Sequence, residues 1–161
     1  MSLYDEKKQL YLDYCKELAV YYDDPSSAMT EEEAESAFEE YITSEDCSWR
    51  NIFAEDGNLA GFLIIGKHGR FCHPDAMRSI SEAYIKPEYR GKGLMKAEAG
   101  GYLSRHPGVF ALLVLKKNRA AKGFWKHLFK IQNFSPIYLD DSYVEPDIQN
   151  DAELLGYAFN H

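Results

Sequence analysis

The sequence predicts a mixed α/β fold, in which a mostly antiparallel central sheet holds one parallel β–α–β crossover and is flanked by helices. Three observations predict it. Two amphipathic helical stripes precede any strand, an Asp-Gly turn joins two β-prone runs, and a glycine-bearing turn leads from a third strand into a helix. The chain has 161 residues, which is the size of one domain, and residues 1–161 are expected to form it.

Two helices are predicted ahead of the first strand. Over residues 4–22, aromatic and apolar side chains recur at spacings of three, four and seven, so they share one face of a helix that Pro25 ends. Thr30 and Glu33 form the sequence of a capping box, and an apolar stripe runs from there to Ile42. Both segments therefore predict helices that pack one face on the sheet.

The remaining elements alternate strand and helix after a hairpin. Asp56-Gly57 stands between the β-prone runs 49–54 and 59–65, which predicts an antiparallel pair. A loop is predicted over 66–78. The later predicted elements are strand 80–85, helix 91–104, strand 110–115, helix 118–131 and short strands at 137–139 and 154–159. A strand, a helix and a buried strand in succession predict the parallel crossover.

Charge is segregated along the chain. The net charge of −8 divides into −12 over residues 1–60, +10 over 61–134 and −6 over 135–161. A basic middle within an acidic chain indicates a local anionic ligand and argues against a nucleic acid, whose binding domains are basic overall. The acidic ends suit a cationic substrate, but glutamate-rich solvated helix faces would give the same count.

Other classes of protein and site are disfavoured. No apolar run approaches the length of a membrane span, and three widely spaced cysteines suit a reducing compartment, so we expect a cytoplasmic protein with no membrane partner. His68, Cys72 and His73 form a cluster of metal-ligand types. It lacks a fourth ligand at a useful spacing, so no metal is expected.

The segment Arg90-Gly91-Lys92-Gly93 follows a predicted strand and opens a predicted helix. Such a turn presents unpaired N–H groups at the positive end of the helix dipole, which predicts an anion site. Arg90 and Lys92 add charge, and the glycines let a phosphate approach the main chain. A Walker loop is absent, and a dinucleotide fingerprint would need glycine at Lys96.

Two motifs resemble the GNAT superfamily of acyl-CoA-dependent N-acetyltransferases. The run from Arg90 resembles (Gln/Arg)-x-x-Gly-x-(Gly/Ala), with Met95 in place of the last small residue. The run from Asn118 to Trp125 resembles N-x-x-A-x-x-F-Y. The resemblance covers about residues 49–139 and implies a GNAT-like fold. It also implies transfer of an acetyl group from acetyl-CoA to a primary amine, either a small cationic amine or a peptide amine.

The resemblance also implies site residues. Backbone amides of the turn would hold the pyrophosphate of coenzyme A, while the strand end and an asparagine would contact its pantetheine arm. The implied cofactor-binding residues are Ile85, Arg90, Gly91, Lys92, Gly93, Leu94, Met95 and Asn118. Glu82 is the best-placed general base, acting directly or through water, with an edge-strand or surface glutamate as the alternative. A strand N–H, at Ile85, would hold the oxyanion, and the two leading helices would form part of the acceptor site.

The sequence departs from the family pattern at Trp125, where many relatives carry a tyrosine that acts as general acid. Tyr138 and Tyr143 are the nearest replacements downstream, and departure of the thiolate to solvent is the other route. A non-catalytic acyl-CoA-binding regulator therefore stays open as an alternative, as do the identity of the amine and the oligomeric state, a homodimer included. Close packing on the sheet is the expected reason for Gly100-Gly101 inside a helix.

Overall fold

The structure, a computed structural model, describes residues 1–67, 75–136 and 151–159. In these ranges the helices are α1 (Leu3–Leu18), α2 (Glu31–Thr43), α3 (Leu94–Arg105) and α4 (Arg119–Ile131). The strands are β1 (Cys47–Phe53), β2 (Leu59–Gly66), β3 (Arg78–Ile85), β4 (Val109–Leu115), β5 (Ser135–Pro136) and β6 (Ala152–Phe159). Short 3₁₀ turns follow α1 at Ala19–Tyr21, precede α2 at Pro25–Ser27 and follow β3 at Pro87–Tyr89.

The strands of the described ranges form one sheet in the order β1-β2-β3-β4-β6-β5. The β1–β2 hairpin is antiparallel, and β3 and β4 are parallel and joined through α3. The pairs β2–β3, β4–β6 and β5–β6 are antiparallel. The predicted mixed, mostly antiparallel sheet with one parallel crossover is confirmed.

Several boundaries differ from those predicted. The first helix tightens into a 3₁₀ turn after Leu18, so the stripe over 4–22 is not one α-helix. The third helix begins at Leu94, because Gly91 and Gly93 have φ angles of 74° and 76° that an α-helix does not contain. The predicted strand 137–139 lies outside the described residues, and β5 ends just before it.

The helix starts follow their capping signals. The predicted capping box of α2 is confirmed, since the Thr30 side chain accepts from the Glu33 N–H and the Glu33 side chain accepts from the Thr30 N–H. A second box begins α1 at Ser2 and Asp5, with aspartate in place of the usual Glu or Gln at the third helical position. Both helices therefore begin at fixed points, and their buried faces are set relative to the sheet.

The sheet packs a separate core on each face. On one face, α1 and α2 cover β2 and β3, and its buried residues are Leu10, Tyr11, Leu12, Tyr14, Ala34, Phe38, Leu59, Phe62, Ile64 and Tyr84. On the other face, α3 and α4 cover residues that include Leu63, Ile65, Ile80 and Leu112. Strand β2 is buried along its whole length, because alternate side chains enter both cores.

Close packing on the sheet does not explain the glycine pair in α3. A Cβ at Gly100 would lie 2.4 Å from Nε2 of Gln132 and 3.5 Å from a methyl carbon of Leu128, both from α4 or the residue that follows it. A Cβ at Gly101 would lie 3.1 Å from the flexible end of Arg105. The expectation that the glycine pair allows close packing on the sheet is therefore wrong. Gly100 instead makes room for the end of α4.

Candidate functional site

Strands β3 and β4 pair only at their beginnings. Arg78, Ser79 and Ile80 lie opposite Phe110, Ala111 and Leu112, and the ladder stops there, although β3 continues to Ile85 and β4 to Leu115. The two parallel strands therefore separate in the middle of the sheet. Unpaired main-chain groups face the gap between them, so an extended ligand could bind there.

A bulge in β3 accompanies this separation. Ile64 of β2 lies opposite Glu82 and the next residue, Ile65, lies opposite Ile80, so Ser81 is an extra residue in β3. Bulges bend a strand and re-aim its side chains. Ile80 packs in the α3–α4 core, whereas Glu82, two positions later, contacts tyrosines of α1 and α2. The extra residue therefore turns the carboxylate towards the first two helices.

The end of β3 presents its backbone to the gap. The Lys86 N–H donates to the Ala60 carbonyl at 2.8 Å, so by antiparallel alternation the next opposed pair, Gly61 and Ile85, is not hydrogen-bonded across β2 and β3. The N–H and C=O of Ile85 therefore point away from β2. The carbonyl accepts from Nε of Arg90 at 2.8 Å. The N–H of Ile85 is aimed at the gap.

The glycine turn has the geometry of an open anion site. Gly91 and Gly93 both have positive φ, and a Cβ at either would meet no atom within 4 Å. Gly93 is the N-cap of α3, and no side chain makes a capping hydrogen bond there. The amides that begin the helix are therefore without a side-chain acceptor, and space above the glycines is clear for an anion.

A cavity of about 470 Å³ extends from this turn. Its walls come from α1, the end of β3, the glycine turn and the start of α4. Of the predicted cofactor-binding residues, those that line it are Ile85, Arg90, Gly91, Gly93, Leu94, Met95 and Asn118. Lys92 is not among the lining residues, and its ammonium lies 5.3 Å from the centre of the Tyr89 ring. The structure thus brings the predicted set together around one cavity, with Lys92 outside it.

Asn118 serves as the N-cap of α4. Its side-chain oxygen accepts from the Ala121 N–H at 3.1 Å. That bond fixes the side chain and leaves the amide NH₂ as a donor at the cavity wall.

Trp125 is a buried core residue that also lines the cavity. It is 4% exposed, and its ring centroid lies 4.9 Å from that of Phe124 and 6.1 Å from that of Phe129. An indole N–H is a donor and not a proton source at neutral pH. The alternative acids Tyr138 and Tyr143 lie outside the described residues, so no general acid is assigned.

Glu82 is partly buried beneath two tyrosines, so it is not a solvated surface glutamate. The Tyr14 hydroxyl donates to Oε2, and the Tyr41 hydroxyl donates to Oε1 at 3.2 Å. Burial raises the pKa of Glu82 to about 7, and the two hydrogen bonds oppose that rise because they stabilise the carboxylate. The group therefore exchanges a proton near neutral pH.

Other groups near the cavity did not emerge from the sequence. Glu17 of α1 accepts from Arg90 Nη2 at 2.7 Å and from the Tyr84 hydroxyl at 2.9 Å. The sequence places Tyr14 and Tyr41 only in the helical stripes of the two leading helices and does not pair either with Glu82. The tyrosine spacing of α1 predicted its buried face, but no local pattern predicted which strand residue that face would meet.

The described ranges contain neither a helix long and apolar enough to cross a bilayer nor a group of three or more side chains suited to hold a metal ion. The cluster of His68, Cys72 and His73 lies outside these ranges.

A bulged strand that separates from its parallel neighbour, beside an arginine-glycine turn that opens a helix, defines an acyl-CoA-dependent acyltransferase class of fold and site. Residues 15–129 match the family model described as the acetyltransferase (GNAT) family. Because this match spans more than half of the 161 residues, the chain belongs to the GNAT acetyltransferase family. Enzymes of this family use acyl-CoA.

Solved structures of low sequence identity share the fold. A GNAT-family acetyltransferase from Bacillus anthracis is 14% identical with a TM-score of 0.63, over 96% of this chain and 89% of that one. A chimera of the spermidine N-acetyltransferase from Vibrio cholerae and hSSAT is 17% identical with a TM-score of 0.58, over 96% and 92%. The Vibrio cholerae enzyme in complex with CoA and spermine is 18% identical with a TM-score of 0.50, over 79% and 76%. No curated protein sequence matches the chain.

Proposed function

We propose that the protein transfers the acetyl group of acetyl-CoA to a primary amine carried by a small cationic molecule or a peptide. The observation that carries the proposal is the position of Glu82. This carboxyl group has a pKa of about 7 and follows the bulge at Ser81, where β3 leaves β4, eight residues before the glycine turn begins at Arg90.

The residues at the turn fit a coenzyme A diphosphate. Uncapped amides at the start of α3, clear space over Gly91 and Gly93, and the guanidinium of Arg90 favour an anion there. Donors at Ile85 and Asn118 would hold the pantetheine arm of coenzyme A in the gap between β3 and β4. When bound, acetyl-CoA supplies the acetyl thioester, and the Ile85 N–H, which points into the gap, would donate to the developing oxyanion.

Glu82 would act as the general base. An amine loses a proton as it attacks a carbonyl carbon, and a base whose pKa lies near the working pH is best suited to accept it. With its pKa raised to about 7 by burial, Glu82 is ionised in a useful fraction at neutral pH and binds a proton more firmly than an ordinary glutamate.

The cavity walls favour a cationic acceptor. Aromatic rings of Tyr14, Tyr21 and Tyr84 and the carboxylate of Glu17 line its α1 side. Tyrosine faces and carboxylates attract ammonium groups, and residues 1–60 carry a net charge of −12. The complex of the structurally similar Vibrio cholerae enzyme with spermine supports a polyamine as the first acceptor to test.

One observation favours a second function. Trp125 occupies the position at which the family pattern has a tyrosine, and it is buried in the core. A protein that binds acyl-CoA without turning it over would therefore remain consistent with the site. In an active enzyme, the departing thiolate would take its proton from water.

Thiol release separates the two functions. The protein is incubated with acetyl-CoA and, in parallel, with spermidine, a diamine, an aminoglycoside and a lysine-containing peptide, and free thiol and acetylated product are measured. Acetylation of any member supports the enzyme, and the preferred member identifies the acceptor class. Tight binding of CoA by calorimetry with no thiol release on any amine supports the regulator.

A further inference from the structure

We propose that Tyr14 is a further catalytic residue, which passes the amine proton from the cavity to Glu82. This inference rests on the proposed function. Tyr14 lines the cavity, while Glu82 and Tyr41 do not, and the Tyr14 hydroxyl donates to Oε2 of Glu82. An amine bound in the cavity would therefore meet the phenol before it meets the carboxylate.

Packing holds the Tyr14 ring between the cavity and the carboxylate of Glu82. The residue is 9% exposed, and its ring centroid lies 5.5 Å from the ring centroids of both Phe62 and Tyr84. Phe62 belongs to β2 and Tyr84 to β3, so the ring is fixed from the sheet as well as from its own helix. A phenol held in this way keeps its hydroxyl on the carboxylate while the residue lines the cavity.

In the proposed step, two protons move in the same direction, from the amine towards Glu82. As the amine nitrogen forms its bond to the acetyl carbon, its N–H proton passes to the Tyr14 oxygen and the phenolic proton passes to Oε2 of Glu82. The carbon–sulfur bond breaks with its electron pair on sulfur, which takes a proton from water. Glu82 then releases its proton to solvent, and Tyr14 ends with its hydroxyl restored.

The relay has to be concerted. Burial, together with the charge of Glu82, raises the pKa of Tyr14 well above its usual value, so a free phenolate would not accumulate. In the described part of the chain, the titratable groups that face Glu82 from the packed elements are all neutral at pH 7. They are Tyr11, Tyr14 and Cys15 of α1, Tyr22 after the 3₁₀ turn, and Tyr41 of α2. None of these five groups would therefore titrate near pH 7 alongside Glu82.

The variants Tyr14→Phe and Tyr41→Phe form a matched pair. Each removes one hydrogen bond to Glu82, so each should raise the pKa of that carboxyl. Of these two tyrosines, Tyr14 lines the cavity and Tyr41 does not. We measure kcat for both variants and for the wild type from about pH 5 to about pH 9, each divided by kcat of Glu82→Gln, which cancels the titration of the amine itself.

In the wild type this ratio should rise through about pH 7 to a plateau of about 10² or more. Tyr41→Phe should reach the same plateau with its midpoint at higher pH, whereas Tyr14→Phe should stay near unity throughout. Similar plateaus in the two variants would overturn the relay, because the amine would then reach Glu82 directly. An inactive wild type would instead contradict the proposed function. Full activity of Glu82→Gln would contradict the assignment of Glu82 as the general base.

Two further measurements keep the test decisive. Calorimetry with CoA should give the same Kd for both tyrosine variants, which shows that the site is folded. Single-turnover rates of the wild type in mixtures of H₂O and D₂O should depend non-linearly on the deuterium fraction, because two protons move in the same step. A linear dependence would mean one proton and would contradict the relay even if Tyr14→Phe failed to fold.

Discussion

Glu17 of α1 and Arg90 of the glycine turn form an ion pair, in which Oε1 of the carboxylate accepts from Nη2 of the guanidinium at 2.7 Å. The same arginine donates through Nε to the carbonyl of Ile85 at 2.8 Å, and Tyr84 donates to the other oxygen of Glu17. Helix α1, on the proposed acceptor side of the cavity, is thereby tied to the glycine turn, which is the proposed anion site. A bound diphosphate would compete with Glu17 for the guanidinium.

This competition makes a prediction for Glu17→Gln. The substitution removes a negative charge from the cavity and frees Arg90, so CoA should bind about two- to five-fold more tightly at low salt, since partly exposed pairs contribute up to about 1 kcal/mol. Calorimetry measures the Kd. Glu35→Gln, which breaks the ion pair between Lys8 and Glu35, is the control and should leave the Kd unchanged. Weaker binding by Glu17→Gln would mean that Glu17 instead holds Arg90 in place for the ligand.

Gly93→Glu tests the anion site. Gly93 has a positive φ and open space above it, so a glutamate there adds backbone strain of about 1–2 kcal/mol and places a carboxylate where phosphate would bind. Gly57→Glu is matched to it, because Gly57 has a φ of 83°, equally open space and a place in the β1–β2 hairpin. Both variants should lose similar unfolding free energy, and only Gly93→Glu should lose CoA binding. Equal CoA affinity in the two folded variants would exclude the turn from the site.

Gly61→Ala tests the close approach of β2 to the end of β3. A Cβ at Gly61 would lie 2.2 Å from the backbone carbonyl oxygen of Tyr84 and 3.1 Å from the Cα of Ile85, so one strand must shift. The cost should be about 3 kcal/mol of unfolding free energy, measured by urea denaturation. Gly123→Ala, the control, lies in α4 with open space and should stabilise by up to about 1 kcal/mol. A neutral Gly61→Ala would contradict the packing that aims the Ile85 N–H.

Glu82→Gln should stabilise the protein above neutral pH. The folded pKa of Glu82, about 7, exceeds its unfolded value of 4.5, so the wild type is most favoured below pH 4.5 and loses stability as the pH rises through 7. The gain from the substitution should grow over that interval to about 3 kcal/mol. Urea denaturation of both proteins across the interval measures the difference. A constant difference would show that burial does not perturb this carboxyl group.

Local sequence patterns predicted most of the elements, because side-chain periodicity and turn residues act over a few neighbouring positions. Side-chain periodicity marked both leading helices, Asp56-Gly57 marked the hairpin, and the arginine-glycine turn marked the start of the crossover helix to within three residues. The shift to Leu94 arises because Gly91 and Gly93 adopt left-handed conformations, which glycine permits but does not require.

The chemical partners of Glu82 could not be predicted in this way. Tyr14 lies 68 residues before it and Tyr41 lies 41 residues before it, and both contacts depend on the bulge at Ser81. No residue pattern distinguishes that bulge, because serine is ordinary in a strand. A regular strand would have sent the glutamate to the opposite face, into the core of α3 and α4. Tertiary geometry therefore decides which face of the sheet the carboxylate of Glu82 enters.

The most direct test of the account is the pH dependence of acetyl transfer to a polyamine by the wild type and by Glu82→Gln, followed by thiol release. If Glu82 is the base, the wild-type rate should rise through about pH 7, and the variant should be slower by about 10²–10⁴-fold on the plateau with its CoA affinity retained. A variant that matches the wild type in rate and in profile, or a wild type that binds CoA and releases no thiol with any amine, would contradict it.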